Sequence, residues 1–500
     1  MKILFIPLDE RPCNFKYPQY MAQTSNLKLV TPPMDILSKK KEAANRDALW
    51  DFIYDNIASV DSAILSIDML AYGGLIPSRI HTLNSEEFKQ FITKMRGLKK
   101  ANPDVKIYAY PCIMRCPSYN SSDEEPDYYD LYGSDIFQRK YLQDKQSREE
   151  LSIEEQDRYT SLENAIPVHI LDDYESRRQF NLTMNKEVVK LRSEGVIDHM
   201  VIPQDDSSPY GYTALDQKTV IEMIDELGLS FDVDIYPGAD EVGVTLLARA
   251  YNDFHSRKPK VYPFYSSTLG PQIIPLYEDR PMHESVKAHI RAAGGEICDS
   301  SDEAEYILAI NAPGKIMQEA SQQLNRDITY SSFRHLQHFV CKVKDYLTAG
   351  KKIIIADSAY ANGGEMQLVK YLDQMRLLDR IHSYKGWNTN CNTLGTTLGA
   401  GFLAEGYSPE LTTNIVHHIM EDVCYQSVVR SELINRYFSD SPYGHYNYDP
   451  SVEYEVMQFV KERILEEYRK LTANTLPENI DFTASAPWHR TFEIDLEIVR

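Results

Sequence analysis

The residues best placed to do chemistry are carboxylates that follow short apolar runs. The sharpest set lies in Val201-Ile202-Pro203-Gln204-Asp205-Asp206-Ser207-Ser208-Pro209-Tyr210-Gly211. Side chains of successive residues diverge along a strand, but a tight loop after the strand lets both aspartates address one cleft. Like charges held close raise one pKa, which sets an acid beside a base. Glycosidases use such carboxylate pairs, and so do metal sites built from oxygen ligands. The competing reading is a helix N-cap, since Asp and Ser ahead of a helix beginning near Thr213 are good caps. That accounts for one aspartate, not for both.

Other apolar runs end in the same way. The first leads into Asp9-Glu10-Arg11-Pro12-Cys13-Asn14. The third leads into Asp68, then Tyr72-Gly73-Gly74, then Ser78-Arg79. The paired glycines allow close backbone approach or positive φ. They are not a phosphate loop, because GxxxxGK[ST] is absent. A fourth run ends in Tyr110 and reaches Arg115, and a sixth leads into Gly238-Ala239-Asp240-Glu241. Acids that open a helix are favoured by its dipole in any case, and ion pairs that merely hold loops compete with function at each of these positions. Further along, Asn311, then Asp357 with Asn362, then Trp387-Asn388-Thr389-Asn390 occupy equivalent places. An open Trp beside several Asn side chains suits a sugar, with the ring stacked on the pyranose and the amides bridging hydroxyls. A packed Trp with Asn caps is the alternative. These later loops are expected to join the same cleft.

Such positions need elements to hold them. Apolar runs at 3–8, 27–30, 63–67, 105–110, 200–203 and 233–236 alternate with segments of helical period, including 46–58, 86–98, 175–192 and 214–227. Strands apolar on both faces and separated by helices imply a parallel sheet. The expected fold is therefore α/β. A (β/α) barrel-like catalytic domain spans 1–255, with an open doubly wound sheet as the alternative. Residues 120–165 are acidic and Tyr-rich and are read as an insertion, either a lid or a solvated excursion. A second α/β region, 256–405, has strands near 261–265, 306–310, 352–356 and 381–384. Residues 406–500 are expected to be mainly helical, with an edge strand in the tail. His417-His418 lies in an amphipathic helix and reads as structural.

Bulk properties narrow the classes. The chain has 500 residues, 43% hydrophobic and 25% charged, enough to bury a sizeable core. A net charge of −21 argues against nucleic acid or an anionic membrane as partner. Seven scattered cysteines do not form a disulfide framework. No apolar stretch approaches a membrane span, and the N-terminal run is too short for a signal-peptide core, so a cytoplasmic location is expected. GxSxG, HExxH and GxGxxG are absent.

The opening Pro7-Leu8-Asp9-Glu10-Arg11-Pro12-Cys13-Asn14 resembles a bacterial family of unknown function, number 4127. So do Asp68, Tyr72-Gly73-Gly74, Ser78-Arg79 and Gly386-Trp387-Asn388. The likeness covers nearly the whole chain. More distantly, a strand running into Asp205-Asp206 is similar to the aspartate pair of family 84, O-GlcNAcase-like, glycoside hydrolases. That resemblance implies that Asp205 orients a substrate 2-acetamido group, itself the nucleophile, and that Asp206 is the general acid/base.

The expectation is a retaining, substrate-assisted hydrolase of β-linked N-acetylhexosamine, without metal or other cofactor. Its catalytic residues are Asp205 and Asp206. The substrate-binding candidates are Asp9, Glu10, Arg11, Asn14, Asp68, Tyr72, Gly73, Arg79, Tyr210, Asp240, Glu241, Asn311, Asp357, Asn362, Trp387, Asn388 and Asn390. The partner is a small carbohydrate or glycoconjugate, with homo-oligomerisation left open. The alternatives are a hydrolase of a phosphate or amide in which Asp9, Asp68, Asp205 and Asp240 converge on a divalent ion, or a carbohydrate-binding protein without catalysis.

Overall fold

The computed structural model describes residues 1–163, 165–439, 444–473 and 475–499. Residues 164, 440–443, 474 and 500, which fall within the expected insertion and C-terminal region, lie outside the described residues. The fold is mixed α/β, and the chain divides into two units. Unit 1 comprises 1–10, 28–243 and 277–279, and unit 2 comprises 11–27, 244–276 and 280–500.

Unit 1 is built on six parallel strands: β1 (Lys2–Ile6), β2 (Lys28–Val30), β3 (Ser62–Ser66), β4 (Lys106–Tyr110), β5 (His199–Gln204) and β6 (Val233–Pro237). Every residue of β3 and β5 is buried, as expected for strands covered on both faces. The hydrogen-bonded order is β2-β1-β3-β4-β5-β6. Among the described residues no ladder joins β6 to β2, so hydrogen bonding does not close a barrel. The strands form a parallel sheet in this order. From β1 the chain steps to β2 on one side, then crosses to β3 on the other, the kind of reversal beyond whose carboxyl ends α/β sheets bind ligands. The expected insertion carries the helices Tyr129–Arg148 and Ile153–Leu162. The first is nearly polar all round, yet Tyr129 and Ile136 pack with Tyr174 in a small core of their own.

Unit 2 repeats the pattern with five parallel strands: β7 (Lys260–Tyr265), β8 (Glu296–Ile297), β9 (Tyr306–Asn311), β11 (Lys352–Asp357) and β13 (Ser383–Lys385), in the order β13-β11-β9-β7-β8. The short pair β10 (Gln318–Glu319) and β12 (Tyr360–Ala361) lies beyond them. Two apolar clusters flank this sheet. In one, Ile307, Ile353 and Ile355 meet the helical C-terminal part; in the other, Leu308, Ile310 and Ile354 meet Leu394, Leu398 and Phe402. The C-terminal part carries the helices Pro409–His418, Ile419–Val429, Arg430–Tyr437 and Glu453–Tyr468 and ends in an antiparallel hairpin of β14 (Asp481–Ser485) and β15 (Asp495–Val499). Within it, Ile419–Val429 is π-helical, a geometry favoured where function or strain requires it. None of the seven cysteines forms a disulfide. Among the described residues no helix is long and apolar enough to cross a membrane.

Candidate functional site

In unit 1 the parallel strands deliver their polar ends to one edge. Asp9 and Glu10 follow β1, Asp68 follows β3, Arg115 follows β4, Asp205 and Asp206 follow β5, and Asp240 and Glu241 follow β6. The loop after β5 makes a sharp turn. Asp206 sits at φ 45° and Gly211 at φ 97°. The helix Tyr212–Glu226 then starts from Gly211 with no side-chain cap, so neither aspartate caps it.

Two buried arginines organise this edge. Arg79 donates to Asp205 Oδ2 at 2.6 Å, to Glu124 Oε2 at 3.0 Å and to Glu125 Oε1 at 3.2 Å. Arg115 donates to Glu125 Oε1 at 2.7 Å, to Glu124 Oε2 at 2.9 Å and to Asp206 Oδ2 at 3.2 Å. Asp205 and Asp206 keep 17% and 31% of their side chains exposed, whereas Arg79 keeps 1%. Burial and the neighbouring Asp205 charge push the Asp206 carboxyl up to about 6, with the two guanidiniums pulling it back. Asp68 is more deeply enclosed. Burial pushes it up to about 7, against the Cys112 N–H at 2.9 Å and the Arg79 charge.

Glu124, Glu125 and Arg115 complete this network. Both glutamates come from the acidic run at 121–130, whose composition reads as a solvated loop. The usable signal was its position directly after a buried strand that ends near an arginine. Glu10 accepts from Ser38 Oγ and from the Lys40 N–H, and Lys40 pairs with Asp123, so the insertion is tied to the strand ends twice. Gly73 and Gly74 have φ of 92° and 137°. A Cβ on Gly73 would meet Ala44 N at 2.8 Å, which restricts that turn to glycine. The Tyr72 hydroxyl is buried with no hydrogen-bond partner among the described residues, and its ring packs on His81. Tyr210 turns to the insertion, donating to Glu149 at 2.9 Å. Glu241 folds back onto the Ala239 N–H at 3.0 Å, filling the space beside Gly238. Asp9 and Asp240 are buried.

The unit 2 candidates fall into separate groups. Asn311 and Asp357, ending β9 and β11, form a sealed network. Asn311 donates to Asp357 Oδ1 and to Glu365 Oε2, each at 2.8 Å, and Arg334 grips both Glu365 oxygens at 2.5 and 2.7 Å. Tyr384 donates to Asp357 at 2.6 Å. Burial, then the Glu365 charge, pushes Asp357 up to about 6. Asn362, at φ 59°, donates to Glu319 and takes the Asn388 carbonyl on its N–H. Trp387 is 6% exposed and meets Phe492 edge-on. It is a packed ring, not the open stacking face suggested by its Asn neighbours. Asn390 opens the buried helix Asn390–Leu403. Arg11 lies over the Trp488 ring at 4.9 Å, and Asn14 is buried in the helix Pro12–Ala22.

A further buried set went unnoticed in the sequence. Lys385 donates to Asn414 at 2.7 Å, Asp422 accepts the Gly386 N–H at 2.7 Å and faces His418 at 3.2 Å, and Glu421 accepts from the Tyr17 hydroxyl. Burial drives Lys385 down to about 7 and Asp422 up to about 7. His417 and His418 are both held neutral by burial. The histidine pair is buried within this set.

Among the described residues, no three His, Cys, Asp or Glu side chains are gathered so as to hold a metal ion. Neither the curated proteins nor the solved structures contain a match to this chain. The family model described as protein of unknown function (DUF4127) matches residues 3–497, and the chain belongs to that family.

Proposed function

We propose that the chain is a glycoside hydrolase whose acid/base and orienting groups are Asp206 and Asp205, acting on a β-linked N-acetylhexosaminide by substrate assistance. The observation that carries this reading is the unequal setting of two adjacent carboxylates. Asp205 accepts a charge-assisted hydrogen bond from the buried Arg79 at 2.6 Å. Asp206 is the more open of the two and is pushed up to about 6. Pairs whose environments drive their pKa values apart supply an acid and an anion side by side.

In this reading Asp206, protonated, donates its proton to the glycosidic oxygen as the C1–O bond breaks. The carbonyl oxygen of the substrate's own acetamido group attacks C1. Asp205 accepts the acetamido N–H and stabilises the charge that develops on the closing ring. Asp206, now ionised, takes a proton from the incoming water, which opens the ring and restores the acid. Arg79 and Arg115 act as positioning residues that hold the two carboxylates apart in charge. The choice of an N-acetylhexosamine rests on the resemblance to O-GlcNAcase-like enzymes. A barrel-like arrangement is not required, since the open sheet presents the same carboxyl edge.

A panel of aryl N-acetyl-β-hexosaminides tests this directly. Wild type should turn over both activated and unactivated leaving groups and be inhibited by a thiazoline mimic of the cyclised intermediate. Asp206→Asn should lose the unactivated substrates far more than the activated ones, and Asp205→Asn should lose both. Equal rates for wild type and Asp206→Asn would sink the assignment.

A further inference from the structure

The second sheet has a topological reversal of its own. From β7 the chain goes to β8 on one side, while β9, β11 and β13 follow on the other. Ligand crevices in open α/β sheets lie beyond the carboxyl ends of the strands at such a point. The loops that follow β7 and β9 line an open pocket of about 470 Å³ at this place. Leu269, Ile273 and Leu276 line it from the first loop, and Ile316 and Met317 from the second.

The cavity is held open by its own base. Ser266 Oγ accepts the Ala312 N–H at 2.9 Å, and Ser267 Oγ donates to the Gly314 carbonyl at 3.1 Å. Gly270 lets the loops close on each other there, since a Cβ would meet that of Ala312 at 2.9 Å. Met282 N–H returns to the Ile273 carbonyl at 2.8 Å and fixes the far end of the first loop. Past these staples the loops diverge. Met317, part of the core cluster beside the sheet, supplies a firm floor. The rim keeps large apolar side chains in water: Ile274 is 55% exposed and Ile316 54%. Lys315 and Gln272 supply the polar lining.

We propose that unit 2 binds a small amphipathic anion in this crevice, an apolar body of one or two rings with a carboxylate, sulfonate or phosphate head. The volume lies within the range of small-molecule pockets, about 300–1,000 Å³, and the mostly apolar lining with few polar groups is their usual composition. The apolar body covers Ile274, Ile316 and the Met317 floor, and the head pairs with Lys315. An anionic membrane is a poor occupant, given a chain charge of −21. The site does not depend on the glycosidase reading of unit 1.

The full chain should be titrated with 1-anilinonaphthalene-8-sulfonate and with the neutral N-phenyl-1-naphthylamine. Wild type should bind one equivalent of each. Ile316→Glu places a charge at a solvent-exposed position that the fold tolerates, and should weaken both probes about tenfold or more. Lys315→Gln should weaken the sulfonate by about threefold to tenfold and leave the neutral probe unchanged. Unaltered melting temperatures would show that both variants fold. Several weak sites unaffected by Ile316→Glu would overturn the proposal. So would light scattering that finds wild type self-associated and Ile316→Glu monomeric, because the face would then belong to a second copy. Loss of turnover in Asp206→Asn with probe binding intact separates the two readings.

Discussion

The sheets of unit 1 and unit 2 share their strand order: the second strand lies outside the first, and the third, fourth and fifth follow on the other side. Each gathers carboxylates and arginine beyond its strand ends, Arg79 and Arg115 in unit 1 and Arg334 with Glu365 in unit 2. What differs is water. In unit 1, two guanidiniums face four carboxylates, and Asp205 and Asp206 keep 17% and 31% exposure. In unit 2, Arg334 and Glu365 are each 1% exposed and Asp357 is fully buried. A sealed ion pair has lost its hydration and is held by geometry, and removing one member leaves an uncompensated charge. An open cluster with surplus carboxylates retains room for a substrate and a proton to exchange. One topological edge thus carries a partly open cluster in one unit and a sealed clamp in the other, according to burial.

The sharpest way to break this contrast is to remove the reactive acid. Asp206→Asn should lower turnover of unactivated aryl glycosides by roughly 10²–10⁴-fold, the range for loss of a general acid. Its melting temperature at pH 5 should change little, since wild-type Asp206 is largely neutral there. Arg334→Gln should do the reverse. It strands Glu365 with only Asn311 at 2.8 Å and Arg326 at 3.9 Å, and should cost about 3 kcal/mol in urea unfolding. Turnover per folded molecule should stay near wild type. An Arg334→Gln protein that unfolds normally but fails in turnover would erase the distinction between clamp and catalyst.

How much of this was visible in the sequence depends on the interaction. Ten of the eleven strands in the two sheets overlap largely apolar runs in the sequence, because strands covered on both faces need few polar residues. The two-residue β8 (Glu296–Ile297) is too short and too polar to register, and β13 begins two residues later than the run at 381–384 suggests. Closure into a barrel cannot be read from such runs, since an open sheet with covered faces has the same pattern. Strand ends were legible, and with them Asp9, Asp68, Asp205 and Asp240. Their partners were not. Glu124 and Glu125 sit 45 and 46 residues from Arg79 and belong to a run that looks solvated. Trp387 shows the opposite error: three neighbouring Asn residues made a packed ring look open. The shared strand order of the two units leaves no sequence repeat, because topology constrains where apolar runs fall and not which residues compose them.

The smallest effects concern pH, and their sign separates the units once more. Burial raises both Asp68 and Asp357 above the ordinary aspartate value, to about 7 and about 6. A carboxyl whose folded pKa is raised holds its proton more tightly when folded. Its contribution to stability is therefore full below about pH 4 and is lost as pH rises through the folded value. Asparagine at either position removes the titration while keeping an acceptor for the Cys112 N–H or the Glu365 N–H. Between pH 5 and pH 8.5, Asp68→Asn should flatten the decline in unfolding free energy by roughly 1–3 kcal/mol, the wild-type decline levelling off near pH 7. Asp357→Asn should flatten it by somewhat less, with the change complete nearer pH 6. That second gain is offset, because Asp357 also accepts from Tyr384 and Asn311, and an amide satisfies one fewer donor in a sealed site. Urea unfolding across this pH range measures both. If the two variants shift the same pH window by the same amount, then enclosure differs less between the two strand ends than their geometry implies.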